Sequence, residues 1–196
     1  MDSRIQNIII ERQALDRNKL CDATASIHTL VEEAGQRIFG MPFRIIGSVV
    51  YVGHSGGKDS VLVRWLTDRA LGPGVMTIHT PKPSGIRNEV HPLTKEFLYS
   101  LNRPILYVPD GENLPRLGYK VQIDGTRVAE ADRRDGRDIG LIVEGREVSR
   151  TETPLYLTSG LFGQNFCYPI YDWSDEEVWA AIFHYDIPVS PEYYHD

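Results

Sequence analysis

A glycine-rich loop between two apolar segments decides the fold of this chain: YVGHSGGKDSVLVRWL, residues 51–66. The run that leads into the loop, residues 45–52, is apolar and rich in β-branched side chains, as is typical of a strand buried on both faces. Residues 59–71 beyond the loop repeat apolar side chains every three to four positions, which indicates an amphipathic helix. The stretch therefore predicts a buried strand, a glycine loop and a helix in direct succession.

Strands and helices go on alternating after this unit. Residues 75–80 and 105–109 are short apolar runs that predict two more strands, and a helix is expected between them around residues 89–101. Strands that alternate with helices at short spacing form βαβ units, in which neighbouring strands are parallel. We therefore predict an α/β fold with a mostly parallel twisted sheet flanked by helices, of the Rossmann-like kind.

Helices are also predicted towards both ends of the chain. Residues 22–39 carry apolar side chains at helical spacing, with Asp22 as the expected N-cap. Ser174 and Glu177 have the spacing of a capping box, which predicts a helix that begins after the serine. In the middle of the chain the pattern is weaker, and only residues 140–149 predict a β-hairpin.

The composition fits one globular domain. Of the 196 residues, 41% are hydrophobic and 24% are charged, so we predict a single domain over residues 1–196. The formal net charge of −6 argues against stable unaided binding to nucleic acid. The N-terminal segment has only three consecutive isoleucines, far short of a signal peptide or a membrane span, so we expect a cytoplasmic protein with no membrane partner.

The two cysteines, Cys21 and Cys167, are not spaced as metal ligands. Neither a zinc site nor an iron–sulfur cluster is therefore predicted. Since disulfides are rare in the reducing cytosol, we expect two free thiols that are buried or partly buried.

The loop differs from the ordinary P-loop at two positions. That motif has the form G-x-x-x-x-G-K followed by Ser or Thr, whereas here Gly53 lies only four residues before Gly57, and Asp59 follows Lys58. An aspartate in the place of the magnesium-binding hydroxyl argues against transfer of a γ-phosphate. The loop nevertheless suits an anion, because glycine amides and a helix N-terminus both attract negative charge.

We predict that this loop binds the phosphates of a nucleotide, with a lysine that adds charge and serines that add hydroxyl donors. His79 and Thr80 end the second strand, where ligands of open α/β sheets bind, so they are expected to border the base or the sugar of the bound nucleotide. His54 is expected to be a structural hydrogen-bond partner. The predicted nucleotide-binding residues of the loop are Ser55, Gly56, Gly57, Lys58, Asp59 and Ser60.

An arginine-rich segment, GTRVAEADRRDGRD (residues 125–138), supplies two more candidate cations. Arg127 and Arg134 lie in a polar loop, and guanidinium groups bind phosphate through two parallel hydrogen bonds. Together with Lys58 they are the predicted catalytic residues, which would close over the bound anions and neutralise the charge that develops in nucleotidyl transfer. The alternative is a solvated segment whose charges pair with one another.

The string SGGKDS, residues 55–60, also resembles a known motif. It looks like the PP-loop of the adenine nucleotide alpha hydrolases, in particular the group that contains phosphoadenosine phosphosulfate (PAPS) reductase and the small subunit of ATP sulfurylase. The closing stretch, residues 168–194, is similar to the proline-aromatic-tryptophan segment of that family. The resemblance implies that the loop grips the β,γ-pyrophosphate of ATP, or the anions of a sulfonucleotide, and that chemistry occurs at the α-phosphate or at sulfur.

The arginine-rich segment carries a second part of the resemblance. Gly125, Arg127, Glu130 and Arg134 match the family's G-x-R motif in register, while Ala131 replaces its usual serine. The resemblance therefore adds Gly125 to the expected nucleotide-binding residues.

The reductase reaction of that family does not carry over. It relies on a cysteine in a C-terminal E-C-G-[LIV]-H segment, whereas this chain ends at Tyr194-His195-Asp196. Neither Cys21 nor Cys167 stands in the place of that cysteine. The first hypothesis is therefore an enzyme that binds ATP with Mg²⁺, adenylates an unknown small-molecule acceptor and releases pyrophosphate.

Two alternatives stay open at this stage. One is an enzyme that processes a sulfonucleotide, PAPS or adenylyl sulfate, with a thiol taken from a partner protein. The other is a non-catalytic nucleotide-binding subunit, in a homodimer or with a partner chain. The acceptor of the first hypothesis also stays open between sulfate, a carboxylate and a carbonyl oxygen.

Overall fold

The computed structural model describes residues 1–41, 49–80, 92–101, 105–108, 114, 117–127, 141–143, 146–148, 156–159 and 164–195. Its helices are α1 (Ser3–Arg12), α2 (Arg17–Phe39), α3 (Lys58–Leu71), α4 (Pro92–Ser100) and α5 (Asp175–His184), followed by a 3-10 helix (Pro191–Tyr193). Its strands are β1 (Val49–Gly53), β2 (Met76–His79), β3 (Ile105–Tyr107), β4 (Tyr119–Ile123), β5 (Leu141–Val143), β6 (Arg146–Val148), β7 (Tyr156–Ser159) and β8 (Gln164–Cys167).

A six-stranded sheet of order β3-β2-β1-β4-β8-β7 organises the described residues. The first five strands are mutually parallel, and β7 pairs antiparallel with β8 at one edge. The predicted α/β class with a mostly parallel sheet is therefore confirmed. Strands β5 and β6 form a separate antiparallel pair, which confirms the hairpin expected over residues 140–149.

The ends of two helices show where local patterns were sufficient and where they were not. Helix α5 begins at a complete capping box between Ser174 and Glu177, as predicted. Helix α2 begins five residues before the predicted Asp22, because the carboxylate of Asp16 accepts hydrogen bonds from the amides of Asn18 and Lys19. The prediction of Asp22 as the N-cap is thus wrong, since an earlier aspartate already caps the helix.

The main core lies where α2, α3 and α5 pack against the sheet. Ile27, Leu62 and Trp179, one from each of these helices, are completely buried, as are Val52 of β1 and Ile123 of β4. A smaller apolar cluster contains Tyr51, Ile78 and Leu114. Among the helices that the structure describes, none is both long enough and apolar enough to cross a membrane.

The two cysteines have different environments. Cys167 lies at the end of β8 with no exposed surface, and burial raises the pKa of its thiol to about 12. Cys21 is exposed on α2. The expectation that both thiols are buried or partly buried is therefore wrong for Cys21, which lies on the polar side of an amphipathic helix.

The strand order places a topological switch point beside the glycine loop. From β1 the chain moves to β2 and β3 on one side, and it later returns to form β4 on the other side of β1. In open α/β sheets the crevice outside the carboxyl ends of such a strand pair is the usual ligand site. The loop after β1 and the residues after β4 therefore face one another at this edge.

Candidate functional site

A cavity of about 530 Å³ lies at this switch point, outside the carboxyl ends of β1 and β4. Its wall combines the glycine loop with side chains from β1, the end of β2, the residues after β4, and the 3-10 helix. The lining residues are Tyr51, Gly53, His54, Ser55, Gly57, Lys58, Asp59, Ser60, Ile78, Thr80, Gln122, Asp124, Gly125, Thr126 and Tyr193.

The backbone of the loop requires glycine at its centre. Gly56 has a φ of 88°, a conformation that L residues rarely adopt. A methyl group there would also clash with Cγ2 of Thr94 on α4. Gly57 is the N-cap of α3 and offers no side chain to cap the helix. The first turn of α3 therefore takes its capping groups from other residues.

Three successive amides of the loop donate to side-chain acceptors. The Gly56 amide donates to Nδ1 of His54 at 3.1 Å, and the Gly57 amide donates to Oγ of Ser55 at 3.3 Å. The Lys58 amide donates to the phenol oxygen of Tyr193 at 2.9 Å. Each of these three consecutive N–H groups thus donates to an acceptor within the protein. In anion-binding loops, phosphate oxygens accept from such a row of amides.

The two serines of the loop brace its backbone. Ser60 donates its hydroxyl to the carbonyl oxygen of Gly57 at 2.9 Å, and Ser55 donates to the hydroxyl oxygen of Ser60 at 3.2 Å. Ser60 is buried and Ser55 is exposed. Of the two predicted ligands, Ser55 therefore offers the more accessible hydroxyl to a bound molecule.

The histidines beside the loop have structural partners. Burial lowers the pKa of His54 to about 4, with smaller contributions from Arg64 and His79, so its ring is neutral at pH 7 and accepts the Gly56 hydrogen bond. Nδ1 of His79 lies 2.7 Å from the carbonyl oxygen of His54, to which it donates. His79 is 5% exposed and does not line the cavity, whereas Thr80 does. The structure thus places Thr80, but not His79, in the wall of the cavity.

Four buried ionic side chains form a network beneath the loop, which we call the charge quartet: Lys58, Asp59, Arg127 and Asp175. The ammonium of Lys58 lies 2.8 Å from Asp59 and 3.3 Å from Asp175. The guanidinium of Arg127 lies 2.6 Å from Asp59 and 2.8 Å from Asp175. The four side chains thus carry two positive and two negative charges in a region with little contact to solvent.

Arg127 lies in a different place from the one that the sequence suggested. It was expected in a polar loop that closes over bound anions, but its side chain is 1% exposed and its third hydrogen bond goes to the carbonyl oxygen of Trp173 at 3.0 Å. Two buried carboxylates and this carbonyl hold the guanidinium below the loop. Arg134, the other predicted catalytic arginine, lies outside the described residues.

Gly125 brings the end of β4 against the first turn of α3. A methyl group on this residue would lie 2.9 Å from the carbonyl carbon of Asp59. Only glycine therefore permits this approach, which brings Arg127 to Asp59. Gly125 also lines the cavity, and its nucleotide-binding role stays a prediction.

Several residues of the cavity were not predicted. Tyr51 donates its hydroxyl to Gln122 at 2.6 Å, and the amide of Gln122 donates to Asp124 at 2.7 Å. The carboxylate of Asp124 also accepts from the amide and the hydroxyl of Thr126, at 2.8 and 2.6 Å. The signal that would have found them is the short alternating strand YKVQI at 119–123, which ends in Asp124-Gly125.

The described residues do not include a group of three or more His, Cys, Asp or Glu side chains suited to a metal ion. Both oxygens of Asp59 are engaged by Lys58 and Arg127, which leaves Asp124 as the half-exposed carboxylate of the cavity wall. Mg²⁺ in nucleotide enzymes usually has one or two carboxylates, with phosphates and waters as its other ligands. The described donor set does not fit a magnesium ion held by the protein alone.

The sheet and its helices are shared with known enzymes. The chain superposes on PAPS reductase from Candida auris, in its phosphate complex, with a TM-score of 0.53, 12% identity and 91% of each chain covered. It superposes on yeast FAD synthetase in complex with FAD with a TM-score of 0.59, 10% identity, and 96% of this chain and 68% of that chain covered. It superposes on Candida glabrata FMN adenylyltransferase in complex with ATP with a TM-score of 0.61, 10% identity, and 96% of this chain and 65% of that chain covered.

These similarities define the class of the fold. At 10–12% identity they show that the chain shares the fold of these enzymes. The resemblance drawn from SGGKDS is therefore confirmed at the level of the fold. The chain spans about two thirds of the length of the FMN adenylyltransferase chain. No family model and no curated protein matches the sequence.

Proposed function

We propose that this protein is a cytoplasmic, single-domain enzyme that binds an adenine nucleotide at the glycine loop and transfers its adenylyl group to an acceptor, with release of pyrophosphate. The observation that carries the proposal is the row of three amides from Gly56 to Lys58, aligned with acceptors at the switch point of the sheet. Structural neighbours in complexes with phosphate and with ATP support it.

In the proposed reaction an acceptor oxygen forms a bond to the α-phosphorus, and the bond from that phosphorus to the bridging oxygen of pyrophosphate breaks. The N-terminus of α3, which begins with the Lys58 amide, holds the pyrophosphate, and the Lys58 side chain neutralises the charge that builds on it. Arg127 acts as a positioning residue, because it holds the carboxylates that orient Lys58. Arg134 is proposed as a further cation at the phosphates, and Ser55 and Thr80 as polar contacts.

A magnesium ion in this reaction would arrive with the phosphates of the nucleotide, since the described residues do not form a site for it alone. Its chemistry would be to neutralise phosphate charge. Asp124 is the described carboxylate best placed to contact such an ion or its waters, because it lines the cavity and is half-buried.

A second candidate is the processing of a sulfonucleotide such as PAPS or adenylyl sulfate, which the PAPS reductase neighbour favours. The thiols of this chain do not suit that reaction. Cys167 is buried with its pKa raised to about 12, and thiolate is the reactive form. Cys21 is exposed on α2 and does not line the cavity. This candidate therefore requires a thiol from a partner protein.

Calorimetric titration with ATP, pyrophosphate, adenylyl sulfate and PAPS tests the binding step. We expect ATP and pyrophosphate to bind, and PAPS binding with little affinity for ATP would instead favour the second candidate. Incubation with α-labelled ATP and a panel of acceptors then tests the chemistry. An adenylated product with pyrophosphate is expected, ADP as the sole product contradicts attack at the α-phosphate, and binding without turnover on any acceptor favours a non-catalytic subunit.

A test of Lys58 needs a second substitution, because Lys58 also pairs with Asp59 and Asp175 in the charge quartet. Lys58→Met alone leaves a buried excess of negative charge and destabilises the fold. The double variant Lys58→Met with Asp175→Asn leaves the neutral pair of Asp59 and Arg127, so it separates folding from binding. We expect this variant to fold and to bind pyrophosphate at least tenfold more weakly, about 1.4 kcal/mol, while the exposed control Lys95→Met binds normally.

A further inference from the structure

A tyrosine from the other end of the chain caps the phosphate loop. The phenol oxygen of Tyr193 accepts the hydrogen bond of the Lys58 amide at 2.9 Å, across 135 positions of sequence. It also lies 3.6 Å from the point that a Cβ on Gly57 would occupy. Because Gly57 makes no side-chain cap of its own, this phenol serves as the cap of α3.

The segment that carries Tyr193 is fastened to α4, which also packs against the loop. Ser190 is completely buried, and its hydroxyl lies 2.9 Å from that of Thr94. Thr94 also donates to the carboxylate of Glu192. The ring of Tyr193 packs edge-on against Trp179 of α5, with 5.1 Å between ring centres. The position of the phenol is therefore set by packing on both sides of the 3-10 helix.

We propose that the phenol of Tyr193 is a displaceable stand-in for a phosphate oxygen, and that binding of pyrophosphate at the loop removes it from the Lys58 amide. This inference rests on the proposed function, because it takes the loop as the phosphate site. It goes beyond that function in one respect. It makes the 3-10 helix and its contacts to α4 respond to the presence of a nucleotide.

The phenol of Tyr193 and a phosphate oxygen compete for the single proton of the Lys58 amide. That N–H makes one strong, well-aligned hydrogen bond at a time. A phosphate oxygen carries negative charge, and hydrogen bonds to charged acceptors are stronger than bonds to neutral ones, so the phosphate displaces the phenol. Tyrosine has only two side-chain torsions, so the phenol oxygen cannot leave the Lys58 amide while the ring stays packed against Trp179. Displacement of the phenol therefore loosens the segment from Ser190 to Tyr194.

The size of the effect follows from the bond that is lost. A phosphate must displace the phenol from the Lys58 amide, and this cost reduces the apparent affinity of the protein for phosphate. Removal of the hydroxyl in Tyr193→Phe keeps the ring against Trp179 but abolishes the competing bond. A typical hydrogen bond of this kind predicts that pyrophosphate binds the variant about two- to tenfold more tightly.

The experiment measures pyrophosphate binding by calorimetry to the full chain, to Tyr193→Phe and to the matched control Tyr194→Phe. Tyr194 is adjacent in sequence but does not line the cavity. Tighter binding by Tyr193→Phe with an unchanged control supports the proposal. An unchanged or weakened affinity of Tyr193→Phe overturns it, and weakening would identify the phenol as a direct phosphate ligand. If the unaltered protein binds neither pyrophosphate nor ATP, the proposed function itself fails.

A second measurement needs no variant. Hydrogen exchange of the unaltered protein, with and without pyrophosphate, reports the amides of Glu192 and Tyr193, which donate to the side chain and carbonyl of Ser190. We expect these amides to exchange several-fold faster when pyrophosphate is bound, while the Lys58 amide stays protected. Unchanged or slower exchange of the segment, with pyrophosphate bound, overturns the proposal.

Discussion

The charge quartet gives the sharpest test of how this site is built, through the variant Arg127→Met. In the folded protein Arg127 is 1% exposed and contacts two carboxylates at 2.6 and 2.8 Å. Its removal takes from Asp59 and Asp175 one of the two cations that the described residues place beside them, so the quartet acquires an excess of negative charge in a buried place. Removal of one member of a buried ion pair typically costs about 3–5 kcal/mol, and we expect the free energy of unfolding to fall by that amount.

A second change should restore part of the loss. Asp175→Asn in the presence of Arg127→Met returns the quartet to one positive and one negative charge. The double variant should therefore be more stable than the sum of the two single effects by about 2–3 kcal/mol, the upper part of the range for residues in contact. The structure offers a matched surface pair, in which Arg37 contacts Asp172 at 2.6 and 2.8 Å with side-chain exposures of 21% and 43%.

The assay is urea denaturation, monitored by tryptophan fluorescence and circular dichroism. For each pair, Arg127 with Asp175 and Arg37 with Asp172, it compares the unaltered protein, the two single variants and the double variant. Arg37→Met and Asp172→Asn should couple by less than about 1 kcal/mol, because solvent and salt screen an exposed pair. Equal slopes against urea concentration are required before the stabilities are compared. A coupling in the buried set that is no larger than in the surface set would refute the account of the quartet.

Three further predictions concern other parts of the site and the core. Burial lowers the pKa of His54 from 6.5 to about 4, so below pH 6.5 the unfolded chain binds a proton more readily than the folded one. The free energy of unfolding should therefore fall by about 2 kcal/mol between pH 7 and pH 5. Urea titrations should show this loss in the unaltered protein and not in His54→Gln. Gly56→Ala should cost about 2 kcal/mol or more through its φ of 88° and its crowded methyl, whereas Gly74→Ala, with open space around it, should change stability by less than about 0.5 kcal/mol. A thiol reagent should modify Cys21 in the folded protein and Cys167 only after unfolding, and two fast thiols per folded chain would contradict the burial of the second.

The segments that the sequence predicted correctly are those whose pattern is local. The strand before the loop, the loop and α3 are specified by one continuous stretch, and the capping box of α5 needs only Ser174 and Glu177. Strand β4 escaped prediction because YKVQI is short and half polar. It is a central strand because it pairs with β1, and its Gln122 meets Tyr51 across 71 positions of sequence.

The same difference explains the candidate site. The string SGGKDS predicted the loop, since the turn at its glycines and the hydrogen bonds of Ser55 and Ser60 are local. The place of Arg127 was not predictable, because its partners Asp59 and Asp175 stand 68 and 48 positions away. An arginine in a polar segment is typically solvated, and only the fold shows two buried carboxylates beside it. The cap from Tyr193 was hidden for the same reason.

The balance of the quartet also constrains how the site receives an anion. In the structure the ammonium of Lys58 is held by two carboxylates, at 2.8 and 3.3 Å. If it turns towards a phosphate, Asp59 and Asp175 lose one of the two cations that the described residues place beside them. The turn thus brings one positive charge to the phosphates but takes it from the carboxylates beneath the loop, while Asp124 adds another carboxylate to the cavity wall. Backbone amides orient the anion but carry no net charge. Neutralisation must therefore come from a cation that accompanies the nucleotide, or from groups outside the described residues such as Arg134, and ATP should bind more tightly as its magnesium complex.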